Sequence, residues 1–335
     1  MSTPSAVFID TSIFAGQQYN YGSTALATFI PAAKSAGMNL LLPNPTEREV
    51  RRQIRTRAKE ALEALEVARR RAPFLTKWKG FPKPAQAHID DWEVARVAVA
   101  EWETFLAQFT VVRIGYEGLN MAQVMDWYDQ SLAPFREGKK RKEFPDALAI
   151  SLLAAHAEKH NCFIAVASED QDFKGACERF PNLLYFSTLP RLTELLLSAN
   201  EIVKDYHSAI DAGLELISDA AKEQLDGASF YHVSAQYEIR DTDLDGPSIS
   251  DFSIVAVGEN ECTITFDGEF DSGHELEWEE YNGPDEYPDR CRSRVSDSFS
   301  LSGTAKLRFD PKTHRMTEII YTAVDEEEFG VTSTP

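Results

Sequence analysis

The stretch "AVFIDTSIF", residues 6–14, is an apolar run that ends in a carboxylate, Asp10, followed by two hydroxyls and further apolar residues. Runs of this length read as buried strands. A carboxylate at the end of such a strand is costly unless something compensates its charge. Four similar runs follow: "MNLLLP" (38–43), "TVVRIG" (110–115), "CFIAVAS" (162–168) and "NLLYFSTL" (182–189). Helical patterns separate them, at 23–37, from Thr46 to a break at Pro73, over 88–108, over 120–135 and over 144–160. Strand–helix alternation with apolar strands predicts a parallel sheet covered by helices on both faces.

In such a sheet ligands bind outside the carboxyl ends of the strands. Asp10 falls at one of these ends. Glu47 and Glu49 follow the second strand in the first turns of a helix, and Glu49 stands at capping-box spacing from Thr46. Asp146 opens the helix "FPDALAISLLAAHA", while Asp170 and Asp172 follow the fourth strand in "AVASEDQDF". Strand ends and helix starts meet at one edge, so these acids converge. Packed carboxylates raise one another's pKa, and a divalent cation removes that repulsion. Mg²⁺ and Mn²⁺ prefer oxygen ligands. An ion held this way orients a water and neutralises a phosphodiester, which is the chemistry of a metal-dependent nuclease.

Together, "VFIDTSIF", the glutamate after "LLLPNPT", "KEFPDALAISLLAA" and "SEDQDF" resemble the PIN-domain nuclease family over roughly residues 5–190. The resemblance implies an α/β/α sandwich and four core acidic positions, which fall on Asp10, Glu49, Asp146 and Asp170, with Asp172 as an accessory acid. Thr11 and Ser12 take the hydroxyl positions that support the first aspartate. Glu49 is preferred to Glu47 for its spacing from the strand and from Pro43. The charged helical insertion between Glu49 and the third strand is that of the larger PIN-like proteins rather than the compact toxins. The resemblance also implies RNA as a partner ahead of single-stranded DNA, with a homodimer or higher oligomer as one option. A toxin-like role, host defence and RNA turnover all stay open. A haloacid-dehalogenase-like phosphatase also has an aspartate after its first strand, but it needs an acid two residues later, where this chain has Ser12. The alternative from another class is a catalytically silent PIN fold that binds nucleic acid or acts as a scaffold.

Charge is divided sharply along the chain. Residues 201–335 hold 10 Lys and Arg against 31 Asp and Glu, a balance of −21, so the whole of the net charge of −20 lies there and residues 1–200 carry +1. The first 200 residues instead carry basic clusters. Arg51, Arg52 and Arg55 lie on one helix, and Lys139, Lys140, Arg141 and Lys142 precede Asp146. Lys and Arg supply most non-specific nucleic-acid affinity through phosphate contacts, and Trp78 offers a stacking surface. Trp92 and Trp102 read as core of the insertion.

The expected division is a PIN-like domain over 1–190 with its insertion at about 50–108, a helical connector over 191–226, and an acidic antiparallel β domain over 227–335. Period-two alternation in "SFYHVSAQYEIR", "ECTITFDGEF", "HELEWEEY", "SFSLSGTAKLRF" and "MTEIIYTAV" carries that last expectation. The intervening "DLDGPS" and "DSG" read as turns, and the tail from residue 325 reads as mobile. This domain reads as an accessory or oligomerisation module, or as a shield for the basic groove.

The four cysteines and seven histidines show no metal-binding spacing, and a hydrophobic content of 43% supports a real core. Sparse cysteine and the lack of a leader or an apolar span predict a cytoplasmic protein with no membrane partner.

Overall fold

The computed structural model describes residues 4–77, 91–135, 143–198, 201–258, 260–280 and 289–335. Trp78 and the basic loop Lys139, Lys140, Arg141 and Lys142 lie outside them. The chain divides into two compact units, Met1–Leu192 and Thr193–Pro335. Among the described residues, no helix is long and apolar enough to cross a membrane.

The first unit is built on five parallel strands: β1 (Ala6–Ile9), β2 (Asn39–Pro43), β3 (Thr110–Ile114), β4 (Ile164–Ala167) and β5 (Leu183–Phe186). Their order is β3-β2-β1-β4-β5, which puts β1 in the middle. All four residues of β1 are buried, as are those of β4. Continuous apolar strands of this kind are what a sheet covered on both faces requires.

Seven helices among the described residues accompany these strands. They are α1 (Thr11–Gly16), α2 (Thr24–Ser35), α3 (Asn44–Arg71), α4 (Asp91–Leu106), α5 (Met121–Asp129), α6 (Phe144–His160) and α7 (Gln171–Cys177). The helix α6 is apolar nearly all round because it is buried, with Ala147, Ile150, Leu152 and Leu153 in the core. Pro145 starts it and Asn161, at φ 46°, ends it in the left-handed conformation.

At the start of α3 the capping box does not form. The helix begins at Asn44, straight out of β2, and Pro43 is its cap with no side-chain bond. Thr46 is therefore inside the helix and buried, and Glu49 is released from any capping duty.

The insertion folds as the α3–α4 pair. Trp102 and Phe105 of α4 pack edge-on to Phe14 of α1, with ring centroids 5.0 and 5.6 Å away. Trp102 is core as expected. Trp92 is not: at the first turn of α4 it is 64% exposed, with the Arg55 guanidinium 5.3 Å from its ring.

In the second unit, α8 (Leu189–Leu197) crosses the division and is followed by α9 (Glu201–Asp211) and α10 (Leu214–Leu225). Next come β6 (Ser229–His232), β7 (Glu238–Val257), β8 (Glu261–Glu280), β9 (Asp289–Phe309), β10 (Met316–Val324) and β11 (Glu328–Val331). Strands β7 to β10 form a four-stranded antiparallel sheet in the order β10-β9-β8-β7. The segment 201–225 supplies Tyr206, Ile210, Ile217 and Leu225 to the same core as Ile264, Phe266 and Phe309 of the sheet.

Two predicted turns are absent. "DLDGPS" is a register shift within β7, between Asp245 and Ser248, and "DSG" lies mid-strand in β8. A bulge absorbs glycine and proline without ending a strand. Gly268 shows why glycine is needed there, since a side chain would strike the Ser248 carbonyl. The tail is also ordered, because β11 pairs in parallel with β6.

Candidate active site

Asp10 begins where β1 stops. Its backbone N–H continues the ladder to the Ala167 carbonyl at 2.9 Å, and its side chain caps α1. Oδ2 accepts from Ser12 Oγ at 2.6 Å, Ser168 Oγ at 2.9 Å and Ser12 N at 3.2 Å. Oδ1 receives one long bond, from Thr11 Oγ1 at 3.4 Å. One oxygen is thus saturated and fixed while the other keeps acceptor capacity. The two hydroxyls are fixed in turn: Ser12 Oγ accepts from Glu169 N at 3.1 Å, and Ser168 Oγ accepts from Asp170 N at 3.1 Å. The loops after β1 and β4 are therefore stitched together around one carboxylate that is 5% exposed.

Asp10 acts electrostatically on two acids from distant segments. The Asp146 carboxyl, in the first turn of α6, is pushed up to about 9. Burial is the largest cause, followed by a hydrogen bond with Glu143 and by the charges of Asp10 and Glu49. Glu49 is also raised, by burial first and then by Asp10 and Glu143, against the opposing effects of Gln53 and Arg52. Glu47 points to other work: it pairs with Arg51 at 3.2 Å and Arg113 at 3.4 Å.

Glu49 is positioned through a relay. Tyr19 Oη donates to Gln53 Oε1 at 2.5 Å, and Gln53 Nε2 donates to Glu49 Oε1 at 3.1 Å. Gln18 and Tyr19 both have left-handed backbone, at φ 50° and 59°, in the turn after α1. Non-glycine residues adopt this conformation only when the surroundings impose it. The Tyr19 phenol is pushed up to about 12, by burial first, with the charges of Glu49 and Asp10 adding to the rise.

The acids after β4 are placed differently. Asp170 caps α7, with Oδ1 accepting from Asp172 N at 2.8 Å, and its charge acts with those of Glu169 and Asp10 on the Tyr185 phenol. Asp172 is buried in the first turn of α7. Glu169, unremarked in the sequence, is raised by burial and by Asp10.

The structure thus brings Glu49 and Asp146 under the influence of Asp10 and adds Glu143, Glu169, Ser168 and Tyr19. Among the described residues, no three acidic, histidine or cysteine side chains already stand close enough together to hold a metal ion. The donor set nevertheless suits a hard divalent cation: oxygen ligands only, partly buried, with a mutual repulsion that a positive charge would relieve.

The basic residues divide. Arg51 is held by Glu47 and Glu103 and ties α3 to α4. Arg52 is 72% exposed beside Glu49 at 3.5 Å, and Arg55 lies over exposed Trp92.

A family model described as a PIN domain matches residues 7–173, a span that runs from β1 to α7 and contains every acid just described. No curated protein and no solved structure matches the chain.

Proposed function

The chain belongs to the PIN domain family through residues 7–173, a nuclease-type fold that is generally metal-dependent, and from that premise we propose that it hydrolyses phosphodiester bonds of RNA or single-stranded DNA. One observation carries the reading. Asp10, Glu49 and Asp146 come from three separate segments, and the charge of Asp10 adds to burial in raising the proton affinity of the other two, to about 9 at Asp146.

In this reading Asp10, Glu49 and Asp146 would hold Mg²⁺ or Mn²⁺, with Asp170 as the fourth acidic position and Asp172 as its accessory. When bound, the cation supplies charge neutralisation and Lewis acidity toward phosphate and water. Ser12 and Ser168 hold Asp10 in one orientation, and Thr11 supports its second oxygen. Tyr19 and Gln53 hold Glu49. Asp146, which burial and its acidic neighbours make keep its proton, would give that proton up on holding the cation. Arg52 and Arg55 contact the phosphates, a role the sequence also offers to Lys139, Lys140, Arg141 and Lys142. Free thiols at Cys162, Cys177, Cys262 and Cys291 accord with a reducing compartment such as the cytoplasm.

The test is incubation of the full chain with labelled RNA and single-stranded DNA, with Mn²⁺ or with EDTA. Mn²⁺-dependent cleavage that Asp146→Asn abolishes is the expected result. Binding without cleavage would favour a silent PIN fold, and an Asp146→Asn variant that cleaves normally would remove Asp146 from the site.

A further inference from the structure

Tyr19 faces two places. Its phenol lies in the field of Asp10 and Glu49, and the same residue lines an open cleft of about 380 Å³ between the turn after α1 and the helix α4. Rings form much of the cleft: Tyr19, Tyr21 and Phe105, with Tyr21 stacked on Phe105 at 5.3 Å between centroids. Few polar groups line it, and they share a pattern. Asn20 Oδ1 is taken by Gly22 N at 3.1 Å and Gln108 Oε1 by Lys34 Nζ at 3.1 Å, so each amide presents its NH₂ as a donor. Glu101, also on α4, can only accept.

One of the lining residues, Tyr21, buries an Oη that meets no hydrogen-bond partner among the described residues, although buried groups of this kind are usually satisfied. An aromatic-walled cleft with a few convergent polar groups is the usual form of a small-ligand site.

Resting on the nuclease reading of the neighbouring acids, we propose that this cleft takes one unpaired nucleobase of the substrate strand, of the kind that presents a ring N–H beside a carbonyl, as uracil and guanine do. Tyr19 joins the two places: a strand whose phosphate lies at the acids has its adjoining base at Tyr19. The ring faces of Tyr19 and Tyr21 that are not taken by Arg57 and Phe105 supply stacking, which any base can use. The choice among bases comes from hydrogen bonds: Glu101 accepts from the ring N–H, and the Asn20 and Gln108 amides donate to the carbonyl. Cytosine and adenine lack that ring N–H on the same edge and would leave Glu101 facing a lone pair. A base held in duplex cannot enter, so the cleft selects single strands.

The proposal is tested by binding, without turnover. The full-length Asp146→Asn protein in EDTA is titrated with fluorescent oligouridylate and oligocytidylate of equal length, followed by anisotropy. Thr104→Trp, at an exposed position on α4, fills the cleft, and Glu101→Gln removes the acceptor charge. The expected result is tighter binding of oligouridylate, weakened about tenfold by Thr104→Trp, with the preference for uridylate lost in Glu101→Gln. If both variants, shown to be folded by circular dichroism, bind as the parent does, the cleft is not a base site and the nuclease reading stands. If the wild type neither binds nor cleaves either strand, the nuclease reading falls and the cleft proposal with it.

Discussion

Asp146 holds a proton at neutral pH in the metal-free protein, because its carboxyl is pushed up to about 9 from an ordinary value of 3.8. Between those values the folded chain keeps a proton that the unfolded chain has released. The group's contribution to stability is therefore complete below the lower value and is lost progressively as pH rises through the upper one. Asp146→Asn should raise the melting temperature of the metal-free protein at about pH 8 by a few degrees, and by much less near pH 5. Mn²⁺ should raise it for the wild type at the higher pH and not for the variant. Equal melting temperatures at both pH values would mean that Asp146 is an ordinary carboxyl.

A second residue-scale prediction concerns Tyr19. Tyr19→Phe removes the donor that fixes Gln53 and, through it, Glu49. Outer partners of metal ligands typically contribute about 10–100-fold to affinity or activity. A fall of about tenfold in single-turnover cleavage is expected, with a matching rise in the Mn²⁺ concentration for half-maximal rate. A lower rate at an unchanged Mn²⁺ requirement would instead place Tyr19 on the substrate.

At the scale of elements, α3 holds neighbouring arginines in two different settings. Arg51 braces the helix pair through Glu47 and Glu103, whereas Arg52 and Arg55 face outward. Removing Arg52 and Arg55 together should weaken oligonucleotide binding and lower the slope of log affinity against log salt by roughly 1.4–1.8, since each phosphate contact contributes about 0.7–0.9. Arg51→Ala should leave that slope alone and lower thermal stability.

These arginines also show what a linear sequence conceals. All three stand in one basic run, and only the docking of α4 separates a brace from residues that face outward. The parallel sheet was legible because its strands are apolar on both faces, and Asp10 and Asp146 were visible because each interrupts or opens an apolar element. Ser168 had a readable signal, as the hydroxyl at the end of β4 in the place that Asp10 takes after β1. Glu143, Glu169 and Tyr19 had none, for their part depends on which loops meet in space. The bulge in β7 and the mid-strand glycine of β8 were misread as turns because glycine and proline mark turns and interrupted strands alike.

At the scale of the whole molecule, each unit has its own core: one around Phe8, Ile150 and Val166, the other around Tyr206, Ile264 and Phe309. The second unit directs its basic residues into cross-strand ion pairs, such as Arg292 with Glu277 at 2.7 Å and Arg308 with Glu318 at 2.6 Å. Separate cores should melt separately. Calorimetry of the full chain should resolve two transitions, and Mn²⁺ should shift only the one that belongs to the first unit. A single transition that moves as a whole would show the two units to be cooperative.

The position of β1 has a consequence for how the protein is made. Its partner β4 begins at Ile164, so the hydroxyl of Ser168 reaches Asp10 only after most of the first unit has left the ribosome. Pairings this far apart in the chain form late. A polypeptide still being translated would therefore carry its acids scattered and harmless beside the messenger that encodes it. On the proposed nuclease reading the acidic centre is assembled last, and stalled ribosome complexes released at successive lengths should show cleavage appearing only once β4 and the turn after it have emerged.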